Sequence, residues 1–263
     1  HRASRGKNQR NLVGAHRKAE AKKIMKAKYY DVEKHVEKEH GGTARHLREF
    51  ILGWQDGLVN VLGVILGVAA ATNDARIVII AGLAATFAES ISMAAVAYTS
   101  TKAEIAYYES QLEQEKDYIK NRPEEEKAEV YELYYRKGFR GKLLREIVEK
   151  ITADHKTWLK FMMQEELNLQ PVKANKAFQD AVLVGASAVI GSLIPLLPFF
   201  AFPVEGASFV AVGVSLSSLF VVGVYKANVT VGDPVRSGFE MMVIGGLAAG
   251  IGYAVGALVG RVI

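Results

Sequence analysis

Apolar residues are not spread evenly along this chain. They gather in five runs, at roughly 51–71, 77–99, 178–200, 206–225 and 239–260. An α-helix of about 20 mostly apolar residues is long enough to cross the hydrocarbon core of a bilayer. Five such runs in a chain of 263 residues are hard to hide in a soluble core. The pattern therefore predicts an all-α integral membrane protein with five transmembrane helices. The first run follows nearly fifty polar residues, so it does not read as a cleavable signal peptide.

Between the second and third runs the pattern changes to amphipathic helix. "KAEIAYYESQLEQEKDYIKNR" spaces its apolar and aromatic residues at the helical period. Pro123 followed by "EEE" reads as a helix start with acids in the first turn. Gly138 and Gly141 break that helix, "KLLREIVEKI" forms the next, and Asp154 is an N-cap candidate for "HKTWLKFMMQEEL". Pro171 closes the segment. The expected organisation is a basic N-terminal segment at 1–50, spans 1–2 at 51–99, a helical insert at 100–176 and spans 3–5 at 177–263.

Charge sharpens this picture. Residues 1–49 hold 14 Lys/Arg against 6 Asp/Glu, a balance of +8, and residues 100–176 hold 15 of each sign. Outside these regions the only basic residues are Arg76, Lys226, Arg236 and Arg261. Lys and Arg near membrane ends favour the cytoplasmic side. The N-terminal segment, the insert and the 226–238 loop are accordingly expected in the cytoplasm, with the 72–76 and 201–205 turns outside. A basic arm beside a membrane span suits a topology signal or an anionic lipid surface, and no nucleic-acid partner is expected. The chain has no cysteine, which excludes disulfides, thiolate metal sites and a cysteine nucleophile. It begins at His1, so the expected start lies upstream or was processed.

Ionisable residues within apolar spans are costly and mark functional sites. In "GWQDGLVNVLGVILG", Asp56, Asn60, Gly63 and Gly67 share one helix face. Gly63-xxx-Gly67 is a close-approach motif, so this face should pack against another helix; the first span of a second protomer is one candidate. In the second run, Thr86, Glu89, Met93, Ala97 and Ser100 share a face. Asp180 and Glu240 lie near span ends and read as interfacial acids. Pro195 and Pro198 should bend or end the third span. Gly252, Gly256 and Gly260 repeat every four residues in the fifth.

The stretch "WLKFMMQEEL" places Met162 and Glu166 four apart on one face. It reads either as a core stripe beside a solvated one or as a mixed sulfur and oxygen seat for a borderline divalent metal. Glu126 and Glu129, three apart on a helix, suit shared ligation. Glu37 and His40 form one ExxH, and a di-iron bundle needs two. There is no Walker loop, dinucleotide fingerprint or HExxH.

Taken in order, "DGLVNVLGVILGVAAA", "SISMAA", "PEEEKAEVYELYYRKG", "WLKFMMQEELNL" and "IPLLPFF" resemble the vacuolar iron transporter family, which also has prokaryotic members. The resemblance covers about residues 46–262. It implies a homodimer whose ion path runs between the two copies of the first helix. It also implies export of Fe²⁺ from the cytosol with protons as counter-ion, and no fixed cofactor. By position it assigns Glu115, Glu126, Glu129, Met162, Met163 and Glu166 as metal ligands of the insert, with Asp56 and Met93 in the path. Asn60, beside Asp56, joins the expected path.

Two positions depart from the family pattern. Tyr118 stands where a glutamate is common, which makes Asp117 and Glu113 additional metal candidates. Val96-Ala97 stands where Gly-Glu is common, and Glu89, two turns earlier on the same face, is the expected substitute carboxylate. The expectation is a non-enzymatic divalent-metal exporter for Fe²⁺ or Mn²⁺, in the cell membrane if the source is prokaryotic. The alternatives are a membrane-anchored iron-binding or di-iron oxidase protein and a metal sensor.

Overall fold

The computed structural model describes residues 42–230 and 232–260. The chain divides into two compact units, His1–Leu52 and Gly53–Ile263. Glu37-His40 and most of the basic segment lie outside the described residues.

The described elements are helical. In chain order they are α1 (Gly42–Ala71), α2 (Ala75–Asn121), α3 (Pro123–Arg136), α4 (Gly141–Thr152), α5 (His155–Phe161), a π-helical turn (Met162–Glu166), α6 (Lys176–Leu196), a 3₁₀ turn (Leu197–Phe200), α7 (Val204–Val229) and α8 (Pro234–Val259). Five stretches are long and apolar enough to span a membrane: His46–Ala71, Ala75–Asn121, Lys176–Phe200, Val204–Val229 and Pro234–Val259. This is a multi-pass membrane architecture, as the hydropathy pattern predicts.

Local chemistry fixes the helix ends. The Asp74 side chain accepts from the Arg76 N–H at 2.8 Å, and Asp233 from the Arg236 N–H at 2.9 Å. Each caps an orphan donor in the first turn of a span. Asp154 caps α5 in the expected way, accepting from the Thr157 N–H at 2.9 Å. Gly138 and Gly141 carry φ of +97° and +63°, a backbone region that glycine enters without penalty. The third span ends as its prolines predict: Pro195 sits in the last turn of α6, and Pro198 lies in the 3₁₀ turn that follows.

Two features differ from the sequence pattern. The second span does not end at the insert. α2 continues unbroken for 47 residues, so one rigid element belongs to both regions. The Gly63/Gly67 face packs within the same chain. A Cβ on Gly67 would lie 2.9 Å from the Gly252 carbonyl oxygen, and one on Gly260 would lie 2.7 Å from Ala71 Cα. The two glycine series of α1 and α8 are each other's partners. Between apolar helices in lipid, such close backbone approach supplies the van der Waals contact that water-driven association cannot.

α6 runs along α2, and α7 along α8. The spans share a core of Val61, Leu62, Ile65, Val78, Leu196 and neighbours. The insert has its own core, Ile119, Val130, Leu144, Val148, Trp158, Phe161 and Met162, contributed by α2 to α5 and the π turn. Asp180, near the start of α6, faces protein and not solvent. It is 3% exposed and accepts a 2.9 Å hydrogen bond from the Thr101 hydroxyl of α2. Glu240 is exposed and pairs with Arg236 at 3.2 Å.

Candidate metal centre and membrane carboxylates

Three carboxylates from three elements converge in the insert. Glu115 comes from α2, Glu126 from the first turn of α3 and Glu166 from the π turn; one oxygen of each lies within 4.8 Å of the others. Glu115 and Glu126 are 5% and 4% exposed, and each has a buried carboxylate oxygen without a hydrogen-bond partner. Glu166 closes the group from its solvent side. Glu129, one turn beyond Glu126, is exposed and within hydrogen-bonding reach of Glu166.

The electrostatics follow from this crowding. Burial raises the Glu115 carboxyl, and the Glu129 charge adds to the shift. Burial first, then the charges of Glu129, Glu115 and Glu166, push Glu126 up to about 7. Burial, then the charges of Glu129 and Glu115 and a hydrogen bond with Glu129, push Glu166 up to about 7. Like charges held together away from water disfavour ionisation until a cation arrives. The nearby bases are engaged elsewhere: Lys137 pairs with Glu165, and Arg122 with Glu125 at 3.8 Å. Orphaned, mutually repelling carboxylate oxygens fit a divalent cation.

The π turn positions the third ligand. Its wider winding is closed by the Leu167 N–H bonding to the Met162 carbonyl at 3.1 Å. Such bulges recur at functional sites. Met162 and Met163 are both buried, at 0% and 1% exposure, but only Met162 belongs to the insert's apolar core. Asp117 and Glu113 are not brought into the group. Each sits two residues from Glu115, about 200° around the helix. Glu113 pairs with Lys116 at 2.7 Å, and Asp117 accepts from the Asn121 amide at 2.7 Å.

In the spans, Glu89 of α2 lies within hydrogen-bonding reach of Asp56 and Asn60 of α1. Asp56, Glu89 and Met93 are half-buried, while Asn60 is exposed. Met93 and Glu115 lie on one helix, 22 residues apart, so at 1.5 Å per residue roughly 33 Å separates the two groups. Sequence reading missed the Thr101–Asp180 bond, because burial of a span-end acid depends on its neighbour.

Fold and sites define a polytopic membrane protein with a carboxylate-rich helical domain grown directly from one of its spans. The VIT family model matches residues 47–257, and the chain belongs to that family. It is 31% identical to Vacuolar iron transporter 1 of Tulipa gesneriana over 219 residues, covering 83% of this chain and 89% of the relative. It is 32% identical to Vacuolar iron transporter 1 of Arabidopsis thaliana over 226 residues, covering 86% and 90%. It is 30% identical to the Vacuolar iron transporter of Plasmodium berghei over 249 residues, covering 91% of each. These relatives are named as transporters and not as enzymes, in keeping with the sequence reading.

Proposed function

We propose that this protein transports a divalent transition metal, Fe²⁺ or Mn²⁺, out of the cytosol. The observation that carries the reading is the convergence of Glu126 and Glu166 on Glu115, whose helix is itself a membrane span. The insert gathers metal from the cytosol, where Glu129 adds charge and Met163 a soft donor. Mixed oxygen and sulfur donors favour Fe²⁺ or Mn²⁺ over Mg²⁺ and Ca²⁺, which take all-oxygen shells. The three clustered carboxylates include no histidine, which weighs against a di-iron oxidase.

The metal then enters a path marked by Asp56, Asn60, Glu89 and Met93. The roughly 33 Å between the groups, at 1.5 Å per residue, makes this transfer a diffusive step and not a direct ligand exchange. An exposed Asn60 beside two carboxylates at membrane depth is costly against lipid, which supports a second copy of α1 across the path in a homodimer. Protons returning through the same carboxylates would supply the counter-ion. With the insert in the cytoplasm, export is from the insert's side to the opposite side.

The test is metal flux into proteoliposomes, with and without a pH gradient, for wild type and Asp56→Ala. Flux that needs Asp56 and responds to the gradient is expected. Metal binding without flux in either condition would replace transport with a sensing or storage role.

A further inference from the structure

At the end of the spans remote from the insert lies a cavity of about 980 Å³. It is bounded by the last turn of α1, the first half of α7 and the second half of α8. Its walls are apolar, with Leu66, Val212 and Leu216 at depth and exposed Phe209 at the flank. Its mouth is polar, with Thr72, Asn73 and Glu205. Among the described residues no Lys or Arg lines it, and Glu205 makes no ion pair or hydrogen bond. The last carbonyls of α1, at residues 69–71, bring the negative end of one helix dipole to the mouth, and the first turn of α7, at residues 204–208, brings the positive end of another, so the net charge there is that of Glu205. None of these residues belongs to the carboxylate groups described above.

We propose that this cavity is a binding site for a phospholipid with a primary ammonium headgroup. An acyl chain fills the apolar depth. The ammonium lies at the mouth, where the Glu205 carboxylate and the α1 carbonyls offer negative charge and acceptors. The shape follows the general design of ligand pockets: apolar walls with a few convergent polar groups. An anionic headgroup meets the Glu205 carboxylate at the mouth and is held less well. The site stands independently of metal transport.

The experiment is native mass spectrometry of the delipidated full chain, titrated with ethanolamine and glycerol phospholipids of identical acyl chains. Wild type is expected to retain the ethanolamine lipid about threefold to fivefold better, the size of a partly exposed ion pair. Glu205→Gln should abolish that preference, and Glu205→Asp should keep part of it. Gly250 has open space where a side chain would grow, so Gly250→Leu should fill the cavity and lower retention of both lipids; Gly246→Leu serves if the first variant folds poorly. Metal binding by the insert checks the fold of each. Equal retention of the two lipids by wild type, or retention unchanged by the filling variants, overturns the proposal. So does loss of a dimer in the filling variants, which would make the cavity a protomer contact.

Discussion

The Thr101 hydroxyl donates a 2.9 Å hydrogen bond to Asp180, tying α2 to the second turn of α6. Thr101 stands where α2 passes from span to insert, so this bond pins the insert's supporting helix to the bundle. Asp180 makes a further interaction as well, so its removal disturbs more than one contact. Leaving a buried hydroxyl without its acceptor costs about 1–3 kcal/mol. Asp180→Ala should lower the thermal midpoint of the detergent-solubilised protein, and Asp180→Asn, which keeps an acceptor, should lower it less. Equal losses in the two variants would assign the effect to charge and not to the hydrogen bond.

The glycine seam gives a steric prediction. Gly256 is buried with its would-be Cβ against the Gly67 backbone, so no rotamer relieves a side chain there. Gly256→Val should abolish the folded, monodisperse peak in size-exclusion chromatography. Gly213 of α7 has nothing within 4 Å of its would-be Cβ. Gly213→Ala should be neutral or stabilise by roughly 0.5–1 kcal/mol, the helix preference of alanine over glycine.

Protons and metal compete in the insert. Glu126 and Glu166 sit near 7 against an ordinary value of 4.5. A raised carboxyl holds its proton more tightly in the folded state than in the unfolded state. Its linkage term therefore lowers stability as pH climbs from about 4.5 through about 7. In the metal-free protein the melting temperature should fall across that window. Metal requires the deprotonated ligands, so affinity should rise across the same window and level off above it. Calorimetry with Mn²⁺ at pH 5.5 and 7.5, in buffers of different ionisation heat, should show several-fold more proton release at the lower pH. An affinity independent of pH would place the metal elsewhere.

The two adjacent methionines should separate by function. Met162 is fully buried among Ile119, Val130, Leu144 and Trp158, and its first duty is packing. Met162→Leu conserves volume and should cost under about 1.5 kcal/mol, leaving metal affinity unchanged. Met162→Ala should cost about 2–5 kcal/mol through the cavity it opens. Met163 is buried outside that core. Met163→Leu should weaken Fe²⁺ or Co²⁺ binding while sparing the melting temperature. A reversed outcome in the two leucine variants would exchange their roles.

What the sequence could and could not convey follows from the kind of signal each feature leaves. The five spans are written in composition, since a bilayer demands about 20 apolar residues from each. The Asp154 cap and the Gly138 and Gly141 breaks are local chemistry and were equally legible. The unbroken run of α2 was not, because its pattern shifts from apolar to amphipathic without a breaker residue. The π turn over Met162–Glu166 leaves no mark either, since every residue in it is a competent helix former. Gly63 and Gly67 declared a close approach but could not name Gly252 and Gly256 as partners. Glu113 and Asp117 carried their own warning: on a helix that presents Glu115 inward, residues two away face elsewhere.

Glu89 supplies the sharpest test of the membrane site. The resemblance leads one to expect a carboxylate where Ala97 stands, and Glu89 lies two turns earlier, within reach of Asp56 and Asn60. If Glu89 performs the displaced duty, Glu89→Gln should reduce metal flux in proteoliposomes by tenfold or more. Metal binding at the insert, where Glu115 lies 26 residues further along the same helix and so roughly 39 Å away at 1.5 Å per residue, should not change. Adding Ala97→Glu to that variant returns a carboxylate to the same helix face and should recover part of the flux, with a changed response to the pH gradient. A structural role for Glu89 predicts something else: a lower melting temperature that Ala97→Glu does not repair. Wild-type flux from Glu89→Gln would leave Asp56 as the sole acid required in the path.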